Sequence, residues 1–185
     1  IVQDNSVTVE EGATGIGITT SNKLKVTRNY VFLTGSTPLY GIKLEGGDRN
    51  ALNCNSISNT GSGNNTGIYA IHAGRANIIC NTSDGTARGL EFEGMLAGKQ
   101  KANLAKNALQ NNSNVGLILG TDAIIGEQRH KGNKWSGGLT KAQHLTPGVS
   151  FLSQFIVDNA ENTVFMPDVV VPQIWFTDES TSVVT

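Results

Sequence analysis

The residues of this chain best placed to do chemistry are two carboxylates, Glu91 and Glu93, in the stretch Gly89-Leu90-Glu91-Phe92-Glu93. Apolar Leu90 and Phe92 alternate with them, and a two-residue period puts the acids on one face of a strand and the apolar pair on the other. Side chains two positions apart on a strand stand about 6.5 to 7 Å from each other. That separation is compatible with paired acid and base work on a glycosidic bond. Tyr69 and Lys43 occupy matching positions in Gly67-Ile68-Tyr69-Ala70 and Gly41-Ile42-Lys43-Leu44, with His72 and Arg88 near them. The same pattern describes a solvated sheet face of alternating charge, and that reading is preferred. No residue is assigned a catalytic role; Glu91, Glu93, Tyr69 and Lys43 are the candidates if the protein is an enzyme.

Other reactive residue types are sparse. Cys54 and Cys80 lie 26 residues apart, each directly before an asparagine. If that spacing is one structural turn, their Cα atoms come near enough for a disulfide. In-register neighbours seldom offer the required torsion, so free thiols, buried or half-buried, are expected. The spacing supplies no further ligands for a metal, and no cofactor motif is present. Arg129-His130-Lys131 reads as a surface turn, and Asp48 and Asp84 sit beside turns, where Asp is common. Asn64-Asn65-Thr66, Asn81-Thr82-Ser83 and Asn111-Asn112-Ser113 match the glycosylation triplet, a frequent coincidence in an Asn-rich chain.

The elements that must position these residues are set by a period. Asn29, Asn55, Asn81, Asn107 and Asn133 follow one another at 26 residues, as do Val26, Leu52, Ile78 and Leu104. A glycine followed by alternating apolar residues recurs at Gly15, Gly41, Gly67, Gly89 and Gly116. A fixed period of this size marks a solenoid, in which each repeat buries its apolar side only against its neighbours. Three short strands per turn predict an all-β, right-handed parallel β-helix of about five rungs over residues 1–135. The framework of a leucine-rich repeat is missing. Asparagine suits the corner because it tolerates left-handed backbone and because stacked Asn side chains hydrogen-bond from rung to rung. Ile16, Ile18, Ile42, Leu44, Ile68, Ala70, Leu90 and Phe92 are expected inward, with Lys43, Glu45, Tyr69, Ile71, Glu91 and Glu93 outward. The fourth rung lengthens between Gly89 and Asn107, which predicts a built-out corner at 94–101.

With Asn-Val-Gly-Leu-Ile-Leu at 114–119 and His130-Lys131-Gly132-Asn133-Lys134-Trp135, the chain resembles the pectate-lyase-like and periplasmic copper-protein-like β-helix repeats of large Bacteroidota surface proteins. The resemblance covers roughly residues 5–135 and implies fold. That superfamily holds lyases, hydrolases, epimerases, adhesins and fibre proteins, so it implies no single activity. The tandem Asp and Gly-His-Gly motifs of the polygalacturonase-like hydrolases are absent, as is the Asp-Pro-His-Asp motif of the epimerases. The acids are too scattered for the calcium-holding cluster of a pectate lyase.

Composition sets the remaining bounds. With 185 residues, 38% hydrophobic and 16% charged, the chain suits one modest domain. A formal net charge of −1 gives no electrostatic case for nucleic acid as a partner, and no apolar run reaches the ~20 residues needed to span a bilayer. Gly, Asn, Thr and Ser in abundance fit an extracellular β-solenoid, so a secreted or cell-surface location is expected by analogy. The chain opens inside a repeat, at Asn5-Ser6-Val7, which suggests a piece of a longer protein. After Trp135 the period breaks, and residues 136–185 read as a C-terminal cap or linker with a strand at 151–157. In it Trp175 and Phe176 are expected to contact a neighbouring domain or a copy of the same protein. The functional expectation is a non-catalytic structural or adhesive module of an exported surface protein or extracellular filament. Its partners would be neighbouring domains, copies of itself or cell-surface glycans. The alternative is a polysaccharide-active lyase or hydrolase, or a carbohydrate-binding module.

Overall fold

The computed structural model describes residues 1–94, 101–138, 140–159 and 165–181. The chain winds as an all-β parallel solenoid of about six turns. Three walls carry most of the strands. The first holds five: Val2–Gln3, Lys25–Thr27, Ala51–Asn53, Asn77–Ile79 and Asn103–Ala105. The second holds six, starting with Ser6–Val9, Tyr30–Leu33 and Ser56–Asn59 and ending with Thr82–Asp84, Ala108–Gln110 and Lys134–Ser136. The third holds seven: Thr14–Thr19, Tyr40–Glu45, Thr66–Ile71, Arg88–Glu93, Val115–Leu119, Lys141–His144 and Val169–Val171. Every pairing between neighbours is parallel, as winding in one sense requires.

Alternation drives the packing. Ile42, Leu44, Ile68 and Ala70 on the third wall meet Leu52 and Ile78 from the first and Ile57 from the second, all fully buried. In the fourth rung Leu90 pairs with Ile68 and Glu91 with Tyr69, so the strand is the one that begins at Arg88. The corner expected at 94–101 falls largely outside the described residues.

The asparagines stand between the first and second walls as one column. The Oδ1 of Asn81 accepts from the backbone N–H and the side-chain amide of Asn55, both at 2.9 Å, while its Nδ2 donates to the Leu52 carbonyl at 2.8 Å. Asn107 repeats this toward Asn81 and Ile78, and Asn133 toward Asn107 and Leu104. Asn5 joins at the start through Asn29. Each amide thereby satisfies backbone groups that a corner leaves unpaired in a buried setting. The left-handed backbone expected of the asparagines belongs instead to the residue before each one: Arg28, Cys54, Cys80 and Lys106 have φ between 52° and 63°. The asparagine is kept for its amide. Its neighbour supplies the bend.

The strand glycines have a different cause. A Cβ at Gly15, Gly41 or Gly67 would come within 2.7 Å of the carbonyl oxygen of the next glycine in the column, and would meet Val31, Ile57 or Ser83 of the second wall. Space decides there, not backbone freedom. Gly116 makes room in the same way for the indole of Trp135.

Two expectations need correction. Cys54 and Cys80 are joined in a disulfide with their Cα atoms 4.4 Å apart, not left as free thiols. The left-handed corner directs both side chains out of the wall, where in-register neighbours meet, and the same column pairs Arg28 with Asp4 at 2.8 Å. Trp175 and Phe176 are also not available as outside contacts. Both are buried in the chain's own core, where Phe176 stacks on Phe155 with ring centroids 4.6 Å apart and Trp175 meets Phe155 and His144 edge-on.

They reach that core because the C-terminal segment keeps winding after the sequence repeat has gone. Lys141–His144 and Val169–Val171 extend the third wall, while Phe155–Val157 pairs on one side with Gln128–Arg129 and on the other with Phe176–Asp178 in a short fourth sheet. Part of the strand expected at 151–157 is helical, since Pro147–Ser153 is a 3-10 helix.

Two stability predictions follow from this frame. Asn81→Ala leaves the Leu52 carbonyl and the Asn55 amides without partners, and it should cost roughly 1 to 3 kcal/mol, read as a lowered midpoint in urea unfolding. His144 is buried, its Nδ1 accepts from the Thr146 N–H at 3.2 Å, and burial holds its pKa below the ordinary histidine value. A depressed histidine binds its proton less readily folded than unfolded, so its contribution is intact above about pH 6.5 and is lost as the pH falls below it. Stability should therefore drop on mild acidification by at most roughly 1.4 kcal/mol per pH unit, and His144→Phe should flatten that slope.

Candidate functional site

The outward face of the third wall collects the sequence candidates. On this face Lys43, Tyr69 and Glu91 are cross-strand neighbours in successive turns, and Glu45, Ile71 and Glu93 form the next column. The wall brings them together. Each acid there has its own partners.

Glu91 is only 6% exposed although its strand position faces outward. Its carboxylate accepts from the Thr66 hydroxyl at 3.0 Å and is paired with Arg88 at 3.1 Å. Burying a carboxylate costs free energy unless it is paired and hydrogen-bonded, and Glu91 is both. Glu93 takes another partner, accepting from the Tyr69 hydroxyl at 2.7 Å. Tyr69 packs against Tyr40 with centroids 4.9 Å apart. Lys43 lies over the Tyr40 ring at 6.0 Å and bridges to Glu45 at 3.0 Å, not to either of the candidate acids. The face is thus a band of ties running Glu45, Lys43, Tyr40, Tyr69 and Glu93, beside a separate Arg88, Glu91 and Thr66 cluster.

Burial, and then the hydrogen bond to Glu93, pushes the Tyr69 phenol well above its ordinary range. A phenol in that state keeps its proton and cannot serve as a base near neutrality. His72 sits against Gly94, where a Cβ would strike its ring, and Gly120 leaves the matching space for Glu93. Small residues in the following turn therefore seat these side chains.

Tyr40 and Thr66 did not stand out in the sequence, though both were within reach. They occupy one column with Thr14 and Arg88, the position just before the recurring glycine. Extending the repeat by one residue toward the N-terminus exposes that column.

A second region gathers polar groups. His130, Lys131, Gly132, Val157, Asp158 and Phe165 line a cleft of about 290 Å³. Glu179 closes its flank by pairing with Arg129 at 2.7 Å and His130 at 3.0 Å, so the basic triplet forms a tied surface turn. Among the described residues no three His, Cys, Asp or Glu side chains converge as metal ligands. Asn81, in one of the glycosylation triplets, is buried in the amide column and inaccessible to that modification.

No family model, curated protein or solved structure matches this chain. The solenoid therefore stands on its own geometry.

The phenol offers a direct check on the band. In a spectrophotometric titration Tyr69 should ionise above the ordinary tyrosine range, and Glu93→Gln should bring its transition down only partway, since burial is the larger cause. Full return to ordinary tyrosine behaviour would show that Glu93 alone holds the proton.

Proposed function

We propose that this chain is a non-catalytic structural or adhesive module of an exported bacterial surface protein or extracellular filament. The observation that carries this reading is the tying of turn to turn, by an unbroken amide column from Asn5 to Asn133 and by the Cys54–Cys80 bond across adjacent turns. A column of this kind fixes the pitch and resists unwinding, as a spacer or display rod requires. A disulfide suits the oxidising conditions outside the cytosol. The resemblance of the sequence to large Bacteroidota surface proteins is consistent with the same reading. Neighbouring domains and copies of the same protein are the partners that fit it.

A second reading, a carbohydrate-binding face or a polysaccharide-active enzyme, is favoured by one observation, the half-buried Tyr40 and Tyr69 pair beside Lys43 and Glu93. Aromatic faces with a few polar groups are suited to sugar rings. The pairing of each acid and the raised Tyr69 speak for binding over turnover.

The deciding experiment incubates the protein with a panel of acidic and neutral polysaccharides and follows chain length. No cleavage is expected, and Glu91→Gln and Glu93→Gln should change nothing. Cleavage that Glu93→Gln abolishes would replace the structural reading with the enzymatic one. Localisation is read from the native source, where the chain should be recovered outside the cytosol with both cysteines oxidised. For the staple itself, Cys54→Ser with Cys80→Ser should cost about 3.5 kcal/mol, the loop entropy that a crosslink of this span removes from the unfolded chain, measured by denaturant unfolding.

A further inference from the structure

The disulfide lies on the outside of the solenoid. Cys54 and Cys80 are both exposed, at the corner between the first and second walls. One column of corner residues runs Asp4, Arg28, Cys54, Cys80, Lys106 and Gly132, since each backbone N–H from Asp4 to Lys106 donates to the carbonyl just before the next member. The two sulfurs therefore have a cation in the turn on either side. The cations differ in state. Arg28 donates through Nε and Nη2 to the Asp4 carboxylate, both at 2.8 Å, so its charge is already balanced. Lys106 is exposed and makes no salt bridge among the described residues. The columns to either side add Lys131 and Lys134 in the turn beyond Cys80. Across the three columns Asp4 is the one acid.

This setting favours exchange chemistry. A thiolate is both the attacking and the leaving species when a disulfide opens, and a neighbouring cation stabilises it. Lys106 stands one turn from Cys80, at roughly the 4.8 Å spacing of paired strands, where that negative charge develops. Exposed disulfides are the labile class, in contrast to structural ones that resist reduction. The two turns also stay together without the bond. Beside it the Asn81 Oδ1 holds the N–H and amide of Asn55 at 2.9 Å, and the flanking walls pair Asn53 with Ile79 and Ser56 with Thr82. After opening, these contacts keep the cysteines opposed and ready to close again.

We propose that the Cys54–Cys80 bond is a reversible thiol-exchange site, opened in the folded chain by a small dithiol, with Cys80 the cysteine that carries the negative charge. One thiolate of the dithiol attacks a cysteine sulfur; a mixed disulfide forms and the other cysteine leaves as a thiolate. The second thiol of the reagent then displaces the first cysteine, and the reagent departs as a cyclic disulfide. Two electrons have passed to the protein, and the two protons of the dithiol pass through water to the cysteines. Charge settles on Cys80 because the cation beside it is uncompensated, whereas the one beside Cys54 is held by Asp4. A small disulfide runs the same steps backward. The structural reading does not depend on this site, and its failure would leave that reading as it stands.

Dithiothreitol added to the whole folded chain, without denaturant, tests the proposal. Alkylation by iodoacetamide, followed by mass spectrometry, should show both cysteines opened while the circular dichroism spectrum is unchanged. Cys54→Ser and Cys80→Ser each leave a single thiol. At neutral pH Cys80 should alkylate roughly three times as fast as Cys54, the excess of thiolate that one cation about 5 Å away in water produces. Lys106→Gln should remove that difference and slow opening by dithiothreitol by about threefold, and high salt should do the same to the unaltered chain by screening. Iodoacetamide is uncharged, so steering of the reagent does not enter. A bond that opens only where denaturant unfolds the chain would overturn the proposal. So would equal alkylation of the two cysteines, or a Lys106→Gln chain that opens at the original rate. Should a serine variant lose its fold by circular dichroism, the opening rate of Lys106→Gln, which keeps the disulfide, decides.

Discussion

The fold depends on a side-chain amide that reaches one turn in each direction. Backbone hydrogen bonding within each wall already binds strand to strand, but a corner interrupts it and leaves buried N–H and C=O groups without partners. At the corner between the first and second walls the asparagine repairs this from both sides, its oxygen taking the N–H and amide of the turn before and its nitrogen reaching a carbonyl there. Leaving such groups unpaired costs roughly 1 to 3 kcal/mol each, and the column repeats at every turn. No other side chain of that length both donates and accepts. The same device appears in weaker form elsewhere, where Asn50 accepts from Leu24 and Asn65 from Leu39.

That chemistry explains why so much of the fold was legible. Each turn makes the same demand of its asparagine, so the period shows in the sequence, and the strand glycines recur because a Cβ would strike the next turn. Positions with looser demands left no trace. The residue that takes the left-handed bend is an arginine, two cysteines and a lysine in turn, and nothing in that series announces a backbone conformation. The disulfide was missed for the same reason, since its feasibility depends on a bend that the sequence does not display. At another corner of the fifth turn Gln128 does similar work, its Oε1 accepting from the Leu104 N–H and its Nε2 donating to the Ala102 carbonyl, while Asn133 continues the main column. A longer side chain at an irregular spacing leaves no repeat to read at that corner.

The candidate site was legible in position and not in state. Strand alternation placed Lys43, Tyr69, Glu91 and Glu93 on one face, and that much depends on period alone. Which charges pair depends on side chains one column over, Tyr40, Thr66 and Arg88, and on glycines in the following turn that admit His72 and Glu93. Two acids equivalent by sequence thus differ in the fold, one sealed against Arg88 and the other bound to a phenol. Sheet faces make chemistry look available that neighbouring strands have already consumed.

The covalent staple gives the solenoid a mechanical asymmetry. Hydrogen bonds between parallel turns run along the axis, so tension on the chain's start peels strands away one turn at a time. Peeling proceeds until it reaches Cys54 and stops, because the next turn is closed on itself through Cys80. The length between the two cysteines cannot be paid out, and load passes around it to the turns beyond. A rod built this way yields at its leading turns while keeping a closed ring in its middle, so the length that stretching releases is reduced by the loop that one bond holds.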